Sequence, residues 1–197
     1  MALPLLWLGA AAISALAANE LAEDRKRQQL KRFDLRRPQT LADLDPHESP
    51  IATYPTDIFS TQQKVKPEIG AIVCCGIAGI LDHSGIWLGD NSVAELDGNG
   101  LIKPVSSQRF IEERSGKQIF IACDSLAQPL ISEKAANNAA QQLFQYRDYH
   151  MFDNNCHQFV WQCFTNKSGS VTTFRQLNDK VAHFFNRKIY WDVADLS

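Results

Sequence analysis

The stretch NNCHQFVWQCF, Asn154 to Phe164, sets a thiol behind two small amides and ahead of an apolar run. Asn154 and Asn155 are good N-cap residues, so Cys156 is expected in the first turn of a helix. Unpaired backbone N–H groups and the positive end of the helix dipole favour a thiolate there, drawing a thiol pKa from about 8.5 towards or below neutrality. The same N–H groups can hold the oxyanion of a tetrahedral intermediate. A cysteine nucleophile also needs a base and a group that orients it. His83 and Glu95 flank the turn signal Gly89-Asp90-Asn91, and an odd-numbered turn there pairs residues whose numbers sum to an even value. Both side chains then project from one face, as opposite or diagonal neighbours on adjacent strands. A carboxylate beside a histidine fixes its tautomer and supports the imidazolium, so Cys156, His83 and Glu95 form a sensible Cys-His-acid set.

Each member has a plainer reading. Cys156 is one of five cysteines and free cysteines are most often small core residues; His83 can be a satisfied strand histidine and Glu95 a solvated carboxylate. His157 adjoins Cys156, but neighbouring helix residues point roughly 100° apart, so it is not expected to act as base for its neighbour. A zinc site would draw on His83, Cys156, His157 and Cys163, yet no C-x2-C or H-x3-H spacing is present and no metal is expected.

The elements that must position this set follow from periodicity. Ile69–Cys75, His83–Leu88, Ser92–Leu96, Leu101–Val105 and Lys117–Asp124 read as strands, with Pro104 placing the fourth at a sheet edge. Beyond Pro129 the period becomes helical. Ser132 caps a helix running to about Tyr149; Cys156–Phe164 is a second, burying Cys156, Phe159, Val160 and Cys163; Thr173–Arg187 is a third; IYWDV, Ile189–Val193, is a last strand. Strands followed by helices predict an α+β domain with a small antiparallel sheet packed against helices.

That domain spans 67–197. Before it, Ala2–Ala18 carries no charge and approaches the roughly 17–25 residues that cross a bilayer. A signal peptide is the rival reading, with Ala15–Ala17 as its cleavage site, but no basic residue precedes the apolar run. Arg25, Lys26, Arg27, Lys31, Arg32, Arg36 and Arg37 follow it, so residues 1–19 are expected to be a single-pass transmembrane anchor with the C-terminal domain in the cytoplasm. Residues 20–66 are expected to be a charged helix and a proline-containing linker. The odd, partly adjacent cysteines fit reduced thiols better than a disulfide framework. The sequon Asn166-Lys167-Ser168 matters only in an exported protein, the alternative localisation. A net charge of −2, from 20 basic and 22 acidic residues, gives no support to a nucleic-acid partner.

HSGIWLGDNSVAEL (His83–Leu96) followed by NNCHQFV (Asn154–Val160) resembles the lecithin retinol acyltransferase-like family, permuted members of the NlpC-type, papain-like thiol hydrolases. The likeness covers about Pro67 to Thr165. It implies a permuted papain-like fold with His83 as base, Glu95 as orienting residue and Cys156 as nucleophile. Glu95 stands where animal acyltransferases often have histidine, and His157-Gln158 replaces the family's Glu-His. The expected activity is a membrane-anchored cysteine hydrolase or acyltransferase that forms an acyl-enzyme from an ester or amide, without a cofactor. Lipid acyl groups are the expected substrate because a tether holds the site at the bilayer. The alternatives are a peptidase or amidase on peptide or cell-wall bonds, and an inactive membrane-tethered interaction module.

Overall fold

Period-two alternation of apolar residues converts most of the chain between Ile72 and Ser106 into antiparallel ribbon. The computed structural model describes residues 64–77, 81–112, 114, 118–150, 154–167 and 169–197. The expected anchor, charged helix and most of the linker lie outside the described residues. The strands are β1 (Lys64–Val65), β2 (Ile72–Ile77), β3 (Leu81–Gly89), β4 (Ser92–Leu96), β5 (Ile102–Ser106), β6 (Phe120–Cys123) and β7 (Tyr190–Ala194). The helices are α1 (Ser107–Ile111), α2 (Glu133–Gln141), α3 (Cys156–Thr165) and α4 (Phe174–Phe185). The strands form one seven-stranded sheet in the order β1-β7-β6-β2-β3-β4-β5, antiparallel except for β1 against β7. The architecture is therefore α+β, and β5 with Pro104 lies at the sheet edge.

Each face of the sheet buries its own apolar layer. Ile72, Cys74, Ile86, Ala94 and Leu96 pack with Ala135 and Ala139 of α2, Phe159, Val160 and Cys163 of α3, and Leu177 and Val181 of α4. Val73, Cys75, Trp87, Val93 and Ile121 occupy the opposite face with Phe110 of α1. Full burial of such side chains contributes roughly 1.5–3 kcal/mol each. Phe159, Val160 and Cys163 at helical spacing thus clamp α3 to β3 and β4, the strands that carry His83 and Glu95.

Four elements depart from expectation, the first being β1, which lies in the expected linker and pairs with β7. β2 begins at Ile72 rather than Ile69, because Ile69 and Gly70 form a turn and Gly70 has φ +86°. A Cβ at Gly70 would lie 2.2 Å from the Ser132 carbonyl oxygen, so only glycine permits this crossing. α2 stops at Gln141, well short of Tyr149. Phe144 takes φ 65°, and the following backbone pairs instead with Gly100–Ile102, through Phe144 N–H to the Ile102 carbonyl at 2.7 Å and Arg147 N–H to the Gly100 carbonyl at 2.8 Å. The short α1, capped by Ser106, was not foreseen. The last strand, by contrast, is interior: β7 pairs with both β6 and β1.

Candidate active site

The β3–β4 hairpin reaches its register by a route the sequence does not spell out. The turn has two residues, Asp90 and Asn91, both with positive φ (46° and 57°), the pattern of a type I′ turn. Gly89 pairs with Ser92, which is an odd sum; an irregularity between Trp87 and Gly89 then restores even sums at Trp87–Val93 and Ile86–Ala94. The even register thus comes from a two-residue turn plus a bulge, not from an odd-numbered turn. His83 and Glu95 become diagonal neighbours on the face that also carries Trp87 and Val93.

Their side chains meet. His83 Nε2 lies 2.8 Å from Glu95 Oε2, and both groups are buried. The same carboxylate oxygen accepts from Arg114 Nη2 at 2.9 Å, while Lys103 Nζ stands 3.7 Å from the other oxygen. Arg114 also donates to the Phe110 carbonyl and lies over the Phe110 ring, whose centroid is 5.1 Å from that of His83. Burial opposes ionisation of Glu95, but hydrogen bonding and charge attraction from His83, with Arg114 behind it, hold its carboxyl below the usual range.

Cys156 enters from the other partner. Asn155 is the N-cap of α3: its side chain accepts from the Gln158 N–H at 2.9 Å and donates to the Thr172 carbonyl at 3.0 Å. That double anchorage fixes the first turn and leaves the thiol at the helix mouth, outside both apolar layers. Burial works against the thiolate, yet the charge of His83, hydrogen bonds from His157 and His83, and the charge of His157 carry the Cys156 pKa well below its ordinary value. For His83, burial works the other way from Cys156 and Glu95; their combined pull raises the imidazole above its usual value despite burial and the opposing charge of Arg114. The arrangement favours a thiolate–imidazolium pair backed by a carboxylate.

His157 is closer to the sulfur than helix geometry led one to expect. Its Nδ1 is 3.8 Å from Cys156 Sγ and 2.9 Å from Ser84 Oγ, and its ring packs 5.4 Å from Phe174. The angular separation that counts against His157 as base for its neighbour does not keep its ring from the sulfur. The structure thus brings Cys156, His83 and Glu95 into one interacting set, and adds Arg114, Lys103, His157 and Ser84. Only His157 had a sequence signal, its adjacency to Cys156.

The remaining thiols differ. All five cysteines are buried thiols outside any disulfide. Burial pushes Cys75 and Cys163 up to about 12. Cys75 pairs across the ladder with His83 and donates to the Phe110 carbonyl at 3.5 Å. Among the described residues, no group of three or more His, Cys, Asp or Glu is arranged to hold a metal ion, and no helix is long and apolar enough to cross a membrane. No family model and no curated protein matches the chain.

Proposed function

We propose that this protein is a cysteine hydrolase or acyltransferase that cleaves an ester or amide through an acyl-enzyme on Cys156, with His83 as base and Glu95 as the residue that orients it. The observation that carries this reading is a thiol at a capped helix N-terminus, held well below its ordinary pKa, beside an imidazole whose Nε2 is 2.8 Å from a buried carboxylate. The thiol proton passes to His83, and the thiolate attacks the substrate carbonyl. First-turn N–H groups of α3 hold the oxyanion. As the tetrahedral intermediate collapses, the His83 imidazolium gives its proton to the departing alkoxide or amine. His83 then draws a proton from water, an alcohol or an amine, whose attack on the thioester transfers the acyl group and frees the sulfur.

The substrate class in this proposal is a lipid acyl ester, and the fold is of the permuted papain-like type. Both rest on the resemblance of HSGIWLGDNSVAEL and NNCHQFV to the lecithin retinol acyltransferase-like family. The uncharged Ala2–Ala18 segment, followed by its basic cluster, places the domain at the cytoplasmic face of a membrane in the same proposal. The test is incubation with phospholipid vesicles followed by intact-protein mass spectrometry. An acyl adduct on Cys156, lost in Cys156→Ala and strongly reduced in His83→Gln, supports the reading. An adduct formed only from peptide donors moves the substrate to the peptidase alternative, and absence of any adduct with an unreactive Cys156 sinks the enzyme.

A further inference from the structure

The two adjacent residues His83 and Ser84 point to opposite faces of β3, as strand alternation requires. They nevertheless serve the same sulfur: His83 directly, Ser84 through His157. We propose that His157 is a second imidazole partner of Cys156, donating an Nδ1–H hydrogen bond to the thiolate while Ser84 Oγ and the Phe174 ring hold it in place. This deepens the proposed function and rests on Cys156 being its nucleophile.

The geometry supplies both halves of the assignment. Helical side chains lean towards the N-terminus of their helix, so a ring one residue after the first helical position folds back towards it. Nδ1 lies 3.8 Å from Sγ, within reach of a hydrogen bond to a large sulfur, and 2.9 Å from Ser84 Oγ. Phe174 closes the far side at 5.4 Å, and the residue is buried, so the ring has little freedom to leave. Nδ1–H is then shared between a hydroxyl oxygen and the sulfur, and no proton is transferred. This division of labour meets a chemical need. When the acyl-enzyme breaks down, His83 takes the proton of the incoming water or alcohol, and the sulfur leaves as a thiolate that must be stabilised beside the imidazolium so formed. A donor that keeps its own proton stabilises the departing thiolate at that moment.

The experiment is the pH midpoint of Cys156 alkylation by iodoacetamide, followed by peptide mass spectrometry. Besides His157, the titratable groups acting on this sulfur or its surroundings are His83 on β3, Cys75 on β2, Tyr149 before α3, and, through Glu95, Arg114. His157→Phe keeps a ring against Phe174 and removes Nδ1, and Ser84→Ala/His157→Phe also removes the hydroxyl left behind. Both are expected to raise the midpoint by about one unit, a tenfold loss of thiolate below it. His157→Asn, whose amide nitrogen can stand near the Nδ1 position, is expected to restore most of that shift. An unchanged midpoint in the phenylalanine variants overturns the inference. Should they fail to fold by circular dichroism, Ser84→Ala decides: it removes the oxygen that shares Nδ1–H and holds the ring, so a midpoint moved in either direction supports the inference and an unmoved one overturns it. His83→Gln separates the two readings. If it shifts the midpoint while the His157 variants do not, the proposed function stands and this inference falls; if only the His157 variants shift it, the base assignment falls and this inference stands.

Discussion

Glu95 Oε2 lies within hydrogen-bond distance of both His83 Nε2, at 2.8 Å, and Arg114 Nη2, at 2.9 Å, in a site where Glu95 is 2% exposed. A buried carboxylate between two cationic groups is costly to neutralise. Its folded pKa is lowered, so its contribution to stability is fully present above the unfolded value near 4.5 and is lost as pH falls through the folded value. Glu95→Gln is expected to destabilise the fold at pH 7 by about 3 kcal/mol or more, since it leaves buried charge unpaired. It should also flatten the acid slope of stability. Urea midpoints measured from neutral pH downward test this, and a slope equal to that of the parent protein counts against it.

Thiol reactivity should separate the five cysteines sharply. Cys156 has a lowered pKa, whereas Cys75 and Cys163 sit at about 12. In the folded protein at mildly acidic pH, iodoacetamide should modify Cys156 and leave Cys75 and Cys163 untouched until denaturant is added. Peptide mapping of the alkylated protein reads the outcome, and comparable modification of all five would remove the case for a nucleophile.

The part of this site legible in sequence was the part that depends on local rules. An Asn cap before an apolar helical run located Cys156, and strand alternation put His83 and Glu95 on one face. Longer-range facts were not legible. The bulge that restores the hairpin register adds no residue type of its own, and Arg114 lies in a stretch, Glu112–Lys117, without periodicity. The approach of His157 to the sulfur is hidden because angular spacing around a helix ignores the lean of side chains towards the N-terminus. The helical pattern of the sequence outruns α2 because pairing of Phe144–Arg147 with Gly100–Ile102 overrides helix propensity there.

Arg114 should act on His83 as well as on Glu95. Its positive charge lowers the imidazole pKa, against the larger upward pull of Cys156 and Glu95. Arg114→Met is therefore expected to raise the His83 titration midpoint further, followed by NMR of the ring carbons and assigned by loss of the signal in His83→Gln. General loosening of the site would move His83 the other way, towards its ordinary value of 6.5. The direction of the shift thus distinguishes a charge effect from simple damage.

Gly85 ties the hairpin backbone to this chemistry. A Cβ there would stand 2.6 Å from Val93 Cγ1, 2.7 Å from the Ala94 carbonyl oxygen and 3.2 Å from the Phe110 ring. The obstruction includes backbone, so β3 and β4 must separate to admit a methyl group. Gly85→Ala is expected to cost about 1–3 kcal/mol, in line with overpacking elsewhere. It should also raise the pH midpoint of Cys156 alkylation, since His83 moves with β3. Thermal melts and alkylation rates test the two halves separately, and an unaltered melting temperature would show that the strands yield freely.

The pH dependence of turnover follows from the signs of the two coupled groups. Cys156 is lowered and His83 is raised, so thiolate and imidazolium coexist between the two folded values. Below that window the thiolate is protonated and attack slows; above it the imidazolium is lost and the leaving group receives no proton. Stability follows the same direction on the alkaline side: the raised His83 contributes fully below its unfolded value of 6.5 and ceases to contribute as pH rises through the folded one. Hydrolysis of an activated ester should therefore be bell-shaped, while alkylation of Cys156, which needs no proton donor, should rise on the acid limb and stay high. An alkylation profile that first rises near the ordinary thiol value, about 9, would show that no ion pair forms at this site.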